Sequence, residues 1–185
     1  MRKLILAAFL FVSTMTTNTF ADIKMGIILG FTGPIESLTP AMAASAELAF
    51  KEASDSGSLL GGKRISVERA DSTCVDSAAA TSAAEGLVSG GVVAIMGADC
   101  SGVTGAIAKN VAVPNGVVMI SPSATSPGLT DLKDNGYFFR TAPSDARGGQ
   151  ILADITKDRG VKSCLLYTSD AADDTPCVDL GGRRI

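Results

Sequence analysis

Ser101 follows Cys100 directly, just past an apolar run that reads as a strand, and a serine in that place can do one of two kinds of chemistry. As a nucleophile it needs a base to take its proton. The 185-residue sequence has no histidine. That removes Ser-His-Asp and Cys-His systems, imidazole acid/base catalysis and zinc sites that need imidazole. A hydrogen-bonding role for Ser101 is better supported, with a Ser101 hydrolase as the rival. Ser123 and Thr125 lie in Ser121-Pro122-Ser123-Ala124-Thr125-Ser126-Pro127, a loop without a catalytic partner, where hydroxyls either meet a ligand or cap the turn. Asp71, Asp76 and Asp99 invite calcium, but their spacing does not follow an EF-hand and helix capping accounts for Asp76. Gly30-Phe31-Thr32-Gly33 lacks both the dinucleotide fingerprint and a P-loop ending. It reads as a turn that lets the backbone pass close to a ligand or a neighbouring loop. No catalytic residue, metal site or cofactor is expected.

The elements that must position these residues alternate. Ile23 to Leu29 is an apolar strand running into a glycine-rich turn, and a helix follows, capped by Thr39 with Pro40 in its first position and ending before Gly57. Lys63 to Arg69 reads as a less buried strand, then a loop at Asp71 to Asp76 and an Ala-rich helix to about Ser89. Val92 to Met96 and Val117 to Ile120 read as buried strands flanking a helix over Gly102 to Val113. Tyr137 to Arg140 is a short fifth strand. A helix capped by Ser144 or Asp145 runs to about Asp158, and Val161 begins a sixth strand. Such alternation predicts an α/β fold, a doubly wound parallel sheet sandwich. Ligands of that fold bind outside the carboxyl ends of the strands near a topological switch point. The loops there are Gly30 to Thr39, Asp71 to Asp76, Ala98 to Ser101 and Ser121 to Ser126. Their amides and hydroxyls can hold a small carboxylate without a cationic side chain.

Both ends of the chain differ in character from this body. Met1 to Ala21 has a basic start, an apolar run from Leu4 to Val12 and a polar end at Thr19-Phe20-Ala21, the layout of a secretory signal peptide cleaved before Asp22. The apolar run is too short to span a bilayer, so the product is expected outside the cytoplasm, periplasmic or otherwise exported. From Cys164 the chain is similar to the translation of a transposon-based sequencing adapter, Cys164 to Asp173 matching one part and Cys177 to Ile185 another. The alternative is a genuine strand at Leu165 to Tyr167 and a loop. The expected organisation is a signal at 1–21, one lobe at 22–163 and a non-native tail at 164–185. Cys74 and Cys100 each fall just past a strand on the same edge of the sheet. In an exported protein they read as a disulfide, with two free thiols as the alternative. Sixteen Lys and Arg against nineteen Asp and Glu, with no basic stripe, make nucleic acid a poor partner.

Ile23 to Pro34, Ala70 to Asp76, Met96 to Ser101 and Met119 to Thr130 together resemble the N-terminal lobe of the leucine/isoleucine/valine-binding protein family, type I periplasmic receptors of ABC importers. Gly-Phe-Thr-Gly-Pro, the Cys74 and Cys100 pair and Ile-Ser-Pro-Ser-Ala-Thr-Ser-Pro carry the resemblance. It implies two lobes closing on an amino acid, of which this chain supplies roughly one. It implies that Ser101 hydrogen-bonds the ligand carboxylate, that Ser123 offers a main-chain carbonyl to the ammonium, that Thr125 meets both groups, and that Ala124 is among the ligand-binding residues. It also implies that Cys74 and Cys100 form a lobe-one disulfide. The family's aromatic ligand neighbour aligns with Leu38, so branched-chain specificity is not carried over. The implied function is an extracytoplasmic solute-binding component for branched-chain or other amino acids or similar small polar ligands. It would act as a monomer with membrane permease subunits and catalyse no reaction. A ligand-sensing domain with the same bilobed fold is the alternative.

Overall fold

The computed structural model describes residues 23–163; the expected signal at 1–21 and tail at 164–185 lie outside the described residues. The chain divides between Pro143 and Ser144 into two compact units. The first holds β1 (Ile23–Leu29), α1 (Thr39–Asp55), β2 (Ile65–Asp71), α2 (Ser77–Ser89), β3 (Ala94–Gly97), α3 (Ser101–Ile107), β4 (Val118–Ser121) and β5 (Phe138–Arg140). All five strands pair in parallel in the order β2-β1-β3-β4-β5. This is the expected α/β architecture.

β1 lies inside the sheet between β2 and β3, and its sequence suits that place. Successive side chains of a strand point to opposite faces, and β1 carries apolar residues on both. Ile28 faces the larger core with Ile95 and Met119, covered by Ala80, Ala84 and Leu87 of α2 and Val103 and Ile107 of α3. Ile27 and Leu29 face the other side with Ala43, Met42 and Phe50 of α1. Ile27, Ile28 and Leu29 are all fully buried, the signature of a parallel strand covered on both faces. Small residues let α2 approach closely, and a Cβ at Gly26 would lie 3.0 Å from Leu87 Cδ1. Asp76 caps α2 as expected, its carboxylate accepting from the amides of Ala78 and Ala79 at 2.9 and 3.0 Å.

Four expectations need correction. Thr39 does not cap α1; it is the first helical residue, fully buried, with its hydroxyl donating to the carbonyls of Gly30 and Glu36, and Pro40 is the second residue. β2 and β3 each begin two residues later than read; before β3, Val93 still belongs to the approach, where its amide donates to Lys24 O and its side chain is 58% exposed. β4 is not buried throughout, since it alternates and Ile120 is 41% exposed. The sixth strand is not formed among the described residues, because Val161 to Ser163 carry no regular structure. α3 continues into a π-helical turn, Ala108–Ala112, so together they fill the single helix expected there. The second unit contains α4 (Asp145–Asp158), capped by the Ser144 hydroxyl, which accepts from Ala146 N.

Candidate functional site

The strand order places the switch point between β1 and β3, since the chain leaves β1 toward β2 on one side and returns to β3 on the other. The carboxyl ends of these strands carry the loops starting at Gly30, Ser72, Ala98 and Pro122. One residue joins all four. Asp99, 4% exposed, accepts from Gly30 N at 2.8 Å, from Ser72 Oγ at 3.3 Å and from Cys100 N at 2.9 Å through its carboxylate. Its main-chain carbonyl accepts from Ser123 Oγ at 3.0 Å. A buried carboxylate is tolerated only when donors surround it, and here each donor comes from a different loop or from the neighbouring amide.

The β4 loop is moulded onto the start of α3. Ser121 Oγ donates to Ala98 O at 2.5 Å and accepts from Ala124 N at 3.0 Å. Ser101 Oγ accepts from the amides of both Thr125 and Ser126 at 3.1 Å. A hydroxyl has two acceptor positions and one hydrogen. With both positions filled, Ser101 has only its hydrogen to offer, so toward a ligand it is a donor. Arg140, at the end of β5, donates from Nη1 to the carbonyls of Ser126 (2.8 Å) and Ala124 (3.4 Å) and from Nη2 to Thr130 Oγ1 (2.5 Å).

The structure therefore brings Ser101, Ser123, Ala124 and Thr125 into one cluster. Ala124 is buried, Ser101 and Thr125 are half-buried and Ser123 is exposed. Ser123 spends its hydroxyl on Asp99 O, the local bond that competed with a ligand role in the sequence. Leu38 is 62% exposed on the loop entering α1. Asp99 and Arg140, which hold these loops, carry no signal of that role in the sequence. In the sequence Asp99 reads only as a candidate cation ligand, and Arg140 stands fourteen residues or more from the carbonyls it holds, a relation no local pattern carries.

Cys74 and Cys100 are bonded, tying the β2 loop to the residue before Ser101. The β2 loop needs such support because Thr73 and Cys74 have φ of 56° and 69°, a region that L residues avoid at a cost of about 1–3 kcal/mol each. Asp71 supplies more support, its carboxylate accepting from Thr73 N at 2.8 Å, Thr32 N at 3.3 Å and Thr32 Oγ at 2.5 Å. The glycine turn passes against the neighbouring loop, as read: Gly33 has φ +95° and a Cβ there would meet Thr73 O at 2.5 Å. Among the described residues no cluster of three metal-ligating side chains occurs.

Burial pushes the Asp71 carboxyl up, but the hydrogen bonds from Thr32 Oγ and the amides of Thr73, Thr32 and Phe31 outweigh it and hold it below the usual range. A carboxyl whose folded pKa is depressed contributes stability above its unfolded value of about 3.9, and loses it as pH falls through the folded value. The stability gap between the parent chain and Asp71→Asn is therefore expected to be constant above about pH 5 and to close on acidification below that. Urea unfolding at stepped pH reads it; a gap that widens toward acid contradicts this account of Asp71.

The model of one family, described as periplasmic binding protein, matches residues 22–179, well over half of the chain. The chain belongs to the periplasmic binding protein family. The match to this family runs past Ser163 into the segment that resembles adapter sequence. The leucine-specific-binding protein of Salmonella typhimurium is 33% identical over 132 residues, 71% of this chain and 35% of that protein. A branched-chain amino acid transporter substrate binding protein from Streptococcus pneumoniae, solved with isoleucine, matches with a TM-score of 0.65 at 33% identity, over 75% of this chain and 38% of its own. A solute binding protein of an ABC transporter from R. palustris, solved with benzoate, matches with a TM-score of 0.64 at 27% identity, over 76% of this chain and 38% of its own. The chain thus spans about a third of the length of the curated relatives it matches.

Proposed function

We propose that this chain is one lobe of an extracytoplasmic solute-binding component of an ABC importer, and that the Ser101 cluster grips the carboxylate of branched-chain or other amino acids or similar small polar ligands. The observation that carries the reading is the polarity of Ser101. Its acceptor positions are filled by Thr125 and Ser126 amides, so its hydrogen is available to an anion beside the start of α3. Two of the similar proteins solved with ligands hold isoleucine and benzoate. A carboxylate is what those ligands share, whereas only one has an ammonium. In this reading Ser101 and Thr125 form the common anchor and Leu38, exposed on the first loop, bears on selectivity. A second lobe closes over the ligand, trapping it and presenting a surface to the permease. No bond is made or broken, and no cofactor takes part. Residues 1–21 are the cleaved export signal, and 164–185 are foreign at least beyond the family match.

Calorimetric titration of the full-length protein with a panel of amino acids and aromatic acids tests this. One or more carboxylates should bind, and Ser101→Ala should weaken that binding by roughly ten- to a hundredfold, the range for a hydrogen bond to a charged group. Heatless mixing with the whole panel, with the protein folded, rejects the reading.

A further inference from the structure

Thr125 is held from two opposite sides. Its own amide and that of Ser126 donate to Ser101 Oγ. The carbonyls on either side, Ala124 O and Ser126 O, accept from a single nitrogen of Arg140. The peptide joining Ala124 to Thr125 is thus fixed at both ends, its N–H by Ser101 and its C=O by Arg140. The second guanidinium nitrogen anchors on Thr130 Oγ1 further along the same loop. Arg140 itself is fixed in place by β5, whose residues Phe138, Phe139 and Arg140 pair with Met119, Ile120 and Ser121 of β4. The planar fork of arginine suits this task, since it reaches three acceptors in fixed directions and lysine cannot.

We propose that Arg140 is a positioning residue: it sets ligand affinity by holding Thr125 in register with Ser101, and it does not touch the ligand. The inference rests on the reading of the Ser101 cluster as the ligand anchor. It differs from the simpler idea that a cation near the rim attracts an anionic ligand, because in that case charge alone would suffice and Arg140→Lys would bind like the parent.

The test is calorimetry on the full-length protein with the carboxylate that binds best, comparing parent, Arg140→Ala, Arg140→Lys and Ser101→Ala, with circular dichroism and urea midpoints confirming the fold. Arg140→Ala is expected to lose on the order of tenfold or more in affinity, and Arg140→Lys to recover little of it, because the fork and not the charge is lost in both. Guanidinium chloride at about 20 mM, far below the molar concentrations that unfold proteins, is expected to restore part of the affinity of Arg140→Ala and to leave Ser101→Ala unchanged. A merely structural loss would not respond in this way. Parent-like binding by Arg140→Lys, or by both Arg140 variants while Ser101→Ala is weakened, overturns the proposal alone. Parent-like binding by Ser101→Ala overturns the reading of the anchor on which it rests. Should Arg140→Ala fail to fold, Arg140→Lys, which keeps charge and stem, decides by the same criterion.

Discussion

Gly97→Ala is expected to unfold the lobe or to cost more than about 4 kcal/mol, a size reached only through a definite steric or burial fault. Gly97 ends β3 beside Ile28 of β1, with φ at +134°. A Cβ there would fall 1.9 Å from the Ile28 carbonyl oxygen and 2.9 Å from its carbonyl carbon. Neither atom can yield, because Ile28 is fully buried in a strand paired on both sides and its neighbours Ile27 and Leu29 are buried too. The strain of that φ adds to the collision. Gly86→Ala is the matched control. It lies inside α2, its Cβ would meet nothing within 4 Å, and it should stabilise by up to about 1 kcal/mol through helix propensity. Urea midpoints read both; a Gly97→Ala midpoint equal to that of the parent rejects the account.

Removing the disulfide is the second large effect. Cys74 and Cys100 are 26 residues apart, and closing a loop of that length in the unfolded chain corresponds to about 3.5 kcal/mol in the chain-entropy model. Against a typical total stability of about 5–15 kcal/mol, that is a substantial share. Cys74→Ser with Cys100→Ser should lower the urea midpoint accordingly, and dithiothreitol should do the same to the parent and nothing to the double variant. The bond also joins the left-handed Thr73–Cys74 turn to the residue before Ser101, so ligand affinity should fall in the same variant. A midpoint insensitive to both treatments would show that the unfolded chain is not restrained as supposed.

How much of this was legible in the sequence depends on how local each cause is. The apolar run of β1 marks a strand buried on both faces, which fits its place inside the sheet between β2 and β3. Asp76 before an alanine run is a cap by short-range chemistry, and the structure has it so. Thr39 misled because a threonine ahead of a helix looks the same whether it bonds the helix amides or, as here, a carbonyl nine residues back. The start of β3 was misplaced because Val92 and Val93 have strand propensity while their place is decided by Lys24 of another strand. The Ser101 and Thr125 loops were found from Ser, Thr and Pro content at strand ends. What holds them was not found, because Asp99 and Arg140 act across 14 to 69 residues of chain.

The junction at Asp99 has a bearing on which positions of this lobe can change independently. Gly30, Ser72, Cys100 and Ser123 all bond to one residue, so loss of the Ser72 or Ser123 hydroxyl removes a donor from the residue that joins the loops. Leu38 is outside that junction and mostly in solvent. Under the proposed reading, a substitution at Leu38 changes what the first loop presents while the bonds at Asp99 stay unaltered.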